Sequence, residues 1–245
     1  MTGRSRYKTH GGIPHGSTNN LGGNLSFYLQ WKANAAVGQW NDQSSNANHV
    51  TQGTSGDQAA IAADGALDFE YSEADHYDFG SAVEISSEEG FVIWLVCTKE
   101  SVSDNMSILS LNNTNHMLEF FEGGGDGGSN LIRTRLASAT TTITPGDGSR
   151  GDFAAGTKFL LTVEREAGGT GNINLYKNGV LLPQDSQATN TGDGEFIALG
   201  VRNGDRYFDG LIYDIAFTEA GAATSDHIKR INAYLCAKHG ISETL

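Results

Sequence analysis

The sequence predicts an all-β protein, a two-sheet sandwich preceded by an extended N-terminal arm and closed by one short C-terminal helix. Three observations carry this. Short apolar stretches with period-two alternation recur along the chain, each bounded by Gly, Asn, Asp or Ser clusters. There are 32 glycines against 3 prolines among 245 residues, with no triplet repeat, a composition of many tight turns. Only the last stretch, "TSDHIKRINAYLCAKHGI", changes to a helical period.

The elements follow in order. Residues 1–24 hold Arg4, Arg6 and Lys8 and no acid, and only Ile13 and Leu21 could enter a core, so the stretch cannot offset its own ordering entropy by burial. It is expected to be an extended basic arm, reaching on the order of 80 Å when fully drawn out. The domain then spans 25–245. "LSFYLQW" should place Leu25, Phe27, Leu29 and Trp31 on one face, and "GLIYDIAF" should do the same with Leu211, Tyr213, Ile215 and Phe217. Between them "ALDFEY", "HYDFG", "FVIWLVCTK", "MSILSLN", "HMLEFFE", "NLIRTRLAS", "KFLLTVERE", "NINLYKNGVLL" and "EFIALGVR" read as strands. Asn178-Gly179 supplies the positive φ angles of a two-residue type I′ hairpin. The tract 122–130, "EGGGDGGSN", matches G-x-G-x-x-G but runs into a strand, whereas a phosphate cradle needs a helix N-terminus. In the final segment Thr224 or Ser225 caps a helix whose Ile228, Ile231 and Leu235 share a face and whose end is Lys238-His239-Gly240.

Charge and composition exclude several classes. The chain carries -13; residues 1–24 contribute +3, so the remainder carries -16. Such an acidic body is unsuited to gripping nucleic acid or anionic lipid. The longest apolar run, residues 91–97, is too short to cross a bilayer and reads as a buried strand. No apolar segment follows the basic start, as a secretory signal would require. Cys97 and Cys236 read as small buried hydrophobes, with neither a disulfide framework nor zinc spacing.

The succession "WNDQSSNANHVTQ", "GALDFEYSEADHYDF", "EGFVIWLVCTKE", "INLYKNGVLL" and "RYFDGLIYDIAFTEAGAATSDHIKRINAYL" resembles a laminin-G-like domain of the concanavalin A-like lectin and glucanase superfamily over residues 25–240. The resemblance implies an antiparallel jelly roll of the concanavalin A-like kind, a fold that hosts lectins, hydrolases and structural modules alike. In "W-x-D-x-S-x-N-x-N" the glycines that usually flank the first Asn of the motif are replaced by Ser45 and Ala47. One hydrolase family of that superfamily carries Glu-x-Asp-x-x-Glu on a strand. The nearest match here, Glu73-Ala-Asp75-His-Tyr-Asp78, falls in an expected turn, so the chain is read as no enzyme. Asp42, Ser44, Asn46 and Asn48 alternate as in a calcium loop but lack its glycine and terminal glutamate. They read as solvated turn residues and no cofactor is expected; the alternative that the resemblance implies is calcium at a sandwich rim, its ligands unassigned. Arg150-Gly151-Asp152 is a chance tripeptide in a turn, and His49, His76 and His116 lie near turns without pairing.

With its basic arm, the chain also resembles the virion structural proteins of tailed phages. That implies a capsid decoration, neck or tail-associated module, made in the host cytoplasm and present in many copies in the virion. Arg4, Arg6, Tyr7 and Lys8 would anchor it on other virion proteins. The alternative is a carbohydrate-binding or adhesive module that recognises host-surface glycans through Trp40, Asp42, Asn46 and Asn48.

Overall fold

The run Phe91–Lys99 is buried along its whole length, and the fold follows from the need to cover both of its faces. The computed structural model describes residues 25–30, 35–36, 38–100, 105–111, 117–121, 131–136, 139–143, 153, 155–184, 186–219 and 224–243. In chain order the strands are β1 (Phe27–Leu29), β2 (Ala35–Ala36), β3 (Gln39–Trp40), β4 (Val50–Thr51), β5 (Ala60–Ile61), β6 (Leu67–Phe69), β7 (Tyr77–Ile85), β8 (Phe91–Lys99) and β9 (Met106–Ser110). There follow β10 (Met117–Phe121), β11 (Leu131–Leu136), β12 (Ala139–Ile143), β13 (Lys158–Arg165), β14 (Asn172–Lys177), β15 (Val180–Leu181), β16 (Ala188–Thr189), β17 (Gly194–Leu199) and β18 (Gly210–Glu219), then helix α1 (Ser225–His239). Sheet one has the order β15-β14-β13-β8-β18-β6-β5, with β1 on β18 and β16 on β14; sheet two has the order β12-β11-β10-β9-β17-β7-β4-β3-β2. All of these strand pairs are antiparallel.

The two faces of β8 have different partners. Phe91, Ile93, Leu95 and Cys97 enter the core between the sheets. Val92, Trp94 and Val96 enter a second cluster with Ile228, Ile231, Leu235 and Cys236 of α1. A buried polar lock holds the helix there: Asn232 Oδ1 accepts from Trp94 Nε1 at 3.1 Å and from Thr162 Oγ1 at 2.8 Å. Both cysteines are free and buried.

Turn and cap chemistry agree with the sequence. Asn178 and Gly179 have φ of 51° and 84°, and the hairpin pairs Lys177 with Val180. Thr224 caps α1 by accepting from the His227 amide, and Gly240 ends it with φ 64°. Among the described residues no helix is long and apolar enough to cross a membrane.

Two strand readings are corrected. A bulge between Ile212 and Asp214 shifts β18 by one residue against β8. Ile212, Ile215 and Phe217 therefore face the inter-sheet core, while Leu211 and Tyr213 pack on the helix side. Similarly Phe27 and Leu29 face the core, but Leu25 joins the helix-side cluster; Trp31 lies outside the described residues.

Lys99 is the unexpected member of the interior. It follows Cys97 on the inner face, is fully buried, and places its Nζ 4.9 Å from the centre of the Phe120 ring. Burial lowers its pKa to about 8. An unfolded lysine keeps its proton to higher pH, so between about pH 8 and pH 10 the unfolded chain binds more protons and stability rises with pH. The stability of the wild type relative to Lys99→Met should therefore increase by on the order of 2 kcal/mol across that window, read from urea denaturation of both proteins. The tyrosines that titrate nearby are common to both and cancel in the difference.

Candidate functional site

The polar loop 41–49 is organised around Asp42, which is only 6% exposed. Its Oδ1 accepts from the amides of Tyr28 at 2.7 Å and Ser44 at 2.8 Å, and its Oδ2 from Ser44 Oγ at 2.6 Å and the Asn48 amide at 2.8 Å. The Asp42 amide in turn donates to His49 Nδ1 at 3.0 Å. Four donors saturate the carboxylate, so it cannot serve as a cation or sugar contact without dismantling the loop. Ala47, at the site where glycine is usual in the motif, adopts φ 51°. Trp40 is 1% exposed within the inter-sheet core, and its Nε1 donates to the Gln30 carbonyl. Trp40 and Asp42, expected as glycan contacts, are thus the framework of the loop rather than its working surface.

Asn46 and Asn48 do reach a surface groove. Asn46 Nδ2 donates to the carbonyls of Leu25 and Ser26, and Asn48 clamps Ser81 of β7 through both its Nδ2 and its Oδ1. Where this loop meets β1, β7 and the end of β18 lies a groove of about 450 Å³, lined by Ser26, Asn46, Asn48, Ser81, Glu84 and Glu219 among others. A second cleft of about 370 Å³ shares Glu84 and continues past Ser86, Ser87, Asp193 and Glu195. The lining mixes hydroxyl, amide and carboxylate groups, which hydrogen-bond a polyhydroxylated ligand, with the apolar side chains of Ala47, Ala82, Val83 and Ile85. Burial raises the pKa of Glu219, and Glu89 and Glu84 add to this by charge repulsion.

The walls of the second cleft depend on Arg165, which is 1% exposed. Its guanidinium donates to the carbonyls of Glu89, Ser86, Asn190 and Gly192, tying together the loops on either side, and it stacks 5.1 Å from the Phe91 ring. Nothing in "KFLLTVERE" distinguishes this arginine from a solvated one, because its partners are distant backbone carbonyls.

The other candidates separate clearly. Residues 71–73 form a short 3-10 turn, as expected, and Asp75 is buried, accepting from the Glu70 amide at 2.8 Å, so Glu73 and Asp75 do not flank a cleft. Asp68, Glu70 and Glu100 bring carboxylate oxygens within 4.8 Å of one another and are the described group with metal-ligand geometry. Burial raises all three pKa values, with Asp68 and Asp209 prominent among the repelling neighbours. His76 is engaged with Gln52 and the Ala74 carbonyl. Arg4, Arg6, Tyr7 and Lys8, the tract 122–130, His116 and Arg150-Gly151-Asp152 lie outside the described residues.

No protein-family model matches the chain, and no curated protein does. Solved structures do match. Domain 4 of AbnA, an extracellular GH43 arabinanase from Geobacillus stearothermophilus solved with arabinotriose, aligns with a TM-score of 0.55 at 19% identity, over 85% of this chain and 98% of that one. The two share a β-sandwich fold. Botulinum neurotoxin type C, whose cell entry depends on two ganglioside molecules, aligns at 0.52 and 14% identity over 89% of this chain. The ligand-binding domain of botulinum neurotoxin serotype D, solved with N-acetylneuraminic acid, aligns at 0.52 and 16% identity over 86%. The chain spans about half the length of these neurotoxin chains, 53% and 51%. At such identities the likeness establishes architecture, and ligand chemistry must come from this chain's own residues.

Proposed function

We propose that this protein is a non-catalytic glycan-binding module that holds a saccharide in the groove beside Asn46, Ser81 and Glu84. The observation that carries this reading is the groove itself: a trough beside a loop that Asp42 and Asn48 hold in place, with the hydroxyls of Ser26 and Ser81 and the carboxylates of Glu84 and Glu219 along it. Preorganised hydrogen-bonding groups on a rigid sheet are what sugar recognition requires, since they lose little entropy on binding. The likeness to a domain solved with arabinotriose, to a neurotoxin whose cell entry depends on two ganglioside molecules and to a ligand-binding domain solved with N-acetylneuraminic acid supports it. The role in a phage particle, with residues 1–24 as anchor, rests on residues outside those described, and the glycan reading has the stronger support.

A glycan array probed with and without calcium tests the proposal, followed by titration calorimetry of the best neutral oligosaccharide. Saturable binding is expected, weakened about tenfold by Glu84→Gln, which removes a charged acceptor worth roughly 1.5 kcal/mol or more. Glu84 is exposed, so the variant should melt as the wild type does. An array with no saturable hit, or a hit that binds Glu84→Gln and Asn46→Ala as tightly as the wild type, overturns the proposal.

A further inference from the structure

The groove beside Asn46, Ser81 and Glu84 and the cleft that continues it carry one sign of charge. Glu84 and Glu219 line the first, and Glu84, Asp193 and Glu195 line the second, whereas no lysine, arginine or histidine is among the described residues of either wall. Glu84 on β7 and Glu195 on β17 are register partners, and like charges directly opposite on an antiparallel pair repel. Neither Glu84 nor Glu219 has an ion-pair partner among the described residues. The negative field is felt at Glu219, whose carboxyl is held above its ordinary range by burial first and then by Glu89 and Glu84.

The cations of the neighbouring strands and loops are engaged away from these walls. Arg165, behind the second cleft, is 1% exposed and turns its guanidinium to four backbone carbonyls. Arg133, Arg202 and Arg206 gather round the buried carboxylate of Glu119 on β10, which β9 separates from β17. Nor do the groove carboxylates converge on a point: among the described residues the group with metal-ligand spacing is Asp68, Glu70 and Glu100, at the ends of β6 and β8. A divalent cation needs such convergence of oxygens. Carboxylates spread along a trough of about 450 Å³ and its continuation of about 370 Å³ instead suit a ligand whose positive charges repeat along a chain.

We propose that the groove selects a saccharide bearing ammonium groups, a deacetylated amino sugar, over neutral and acidic saccharides. The inference rests on the glycan-binding reading above and names the class of sugar. A carboxylate accepts from a sugar hydroxyl and from an ammonium alike, but the bond to an ammonium is charged on both sides and is the stronger of the two. An acidic sugar entering the same trough meets like charge at Glu84, so repulsion of the wrong ligand adds to attraction of the right one. N-acetylneuraminic acid is such an anion, and the likeness to a domain solved with it extends to the fold and not to the ligand.

Titration calorimetry of the full chain with a glucosamine tetramer, its fully N-acetylated form, a galacturonate tetramer and spermine tests the inference. The glucosamine tetramer should bind about tenfold more tightly than the acetylated form, and galacturonate should not saturate. Salt at about 1 M should shrink that preference, since it screens exposed charges. Asp193→Asn and Glu219→Gln should each narrow the preference severalfold, while Glu73→Gln, an equal loss of exposed charge near Asp209 at the other end of β18, should leave it unchanged. Melting curves establish that the variants are folded. Failure of the glucosamine tetramer to bind, equal affinity for the two forms, spermine binding as tightly as the tetramer, or equal effects of Asp193→Asn and Glu73→Gln would overturn the inference. The glycan-binding reading falls with it only if the glycan array is also blank; equal affinity for the free and acetylated tetramers would leave that reading standing.

Discussion

Asp214→Ala should destabilise the protein by about 3–5 kcal/mol, because it removes the one carboxylate that compensates a buried cation. Asp214 sits beside the bulge of β18 with its side chain 1% exposed. Its Oδ2 lies 2.7 Å from Lys238 Nζ, 2.9 Å from His239 Nε2 and 3.2 Å from the Tyr28 hydroxyl, which donates to it. Lys238 also donates to Tyr28, and its side chain is only 4% exposed. Burial already lowers the Lys238 pKa against the opposing pull of Asp214, so without that pull the ammonium would be left charged in a dry site or forced to give up its proton. For a chain of this length the melting temperature should fall by on the order of 10 °C. Removing both charges in Asp214→Ala/Lys238→Met should cost clearly less than the sum of the single variants, a coupling that guanidinium denaturation of the four proteins measures. Additive losses would mean that the pair does not fasten α1 to sheet one.

Glu119→Ala should be of similar size, about 3–5 kcal/mol, for a different reason. Here no cation is wholly enclosed. Three arginines instead lose their shared acceptor and repel one another across the face of sheet two. Glu119→Gln keeps the shape and one acceptor oxygen and should fall between wild type and alanine. Thermal melts of the three proteins check the order, and a loss below about 1 kcal/mol for alanine would show that the arginines find water or one another without it.

Much of the fold was legible because its determinants are local. Asn178-Gly179 specifies its hairpin by backbone sterics alone, Thr224 and Gly240 delimit α1 by satisfying its first amides and ending it in the left-handed region, and the period-two stretches mark strands. The unbroken apolar run of β8 signalled burial, although a run cannot say what covers each face. The candidate site was legible only in part. Asn46 and Asn48 do line the groove, but Trp40 and Asp42 of the same motif turn inward. A polar side chain in a loop offers its hydrogen-bonding groups equally to solvent, ligand or backbone, and the sequence does not say which partner is near. The bulge at Tyr213 was missed for a related reason. One inserted residue leaves the alternation looking regular while exchanging the faces.

By itself the sequence determined the class of architecture, the strand-forming stretches, the hairpin, the helix with its caps, and the acidic balance of the whole, since each depends on neighbours within a few residues. Only the tertiary structure decided which charges are buried and with whom. Arg165 with four distant carbonyls, Asp214 with Lys238, and Glu119 with three arginines are all assembled across separations of more than ten residues. Such pairs leave no periodic trace, because Coulomb and desolvation energies depend on distance in space and on burial, neither of which is written in the order of residues along the chain.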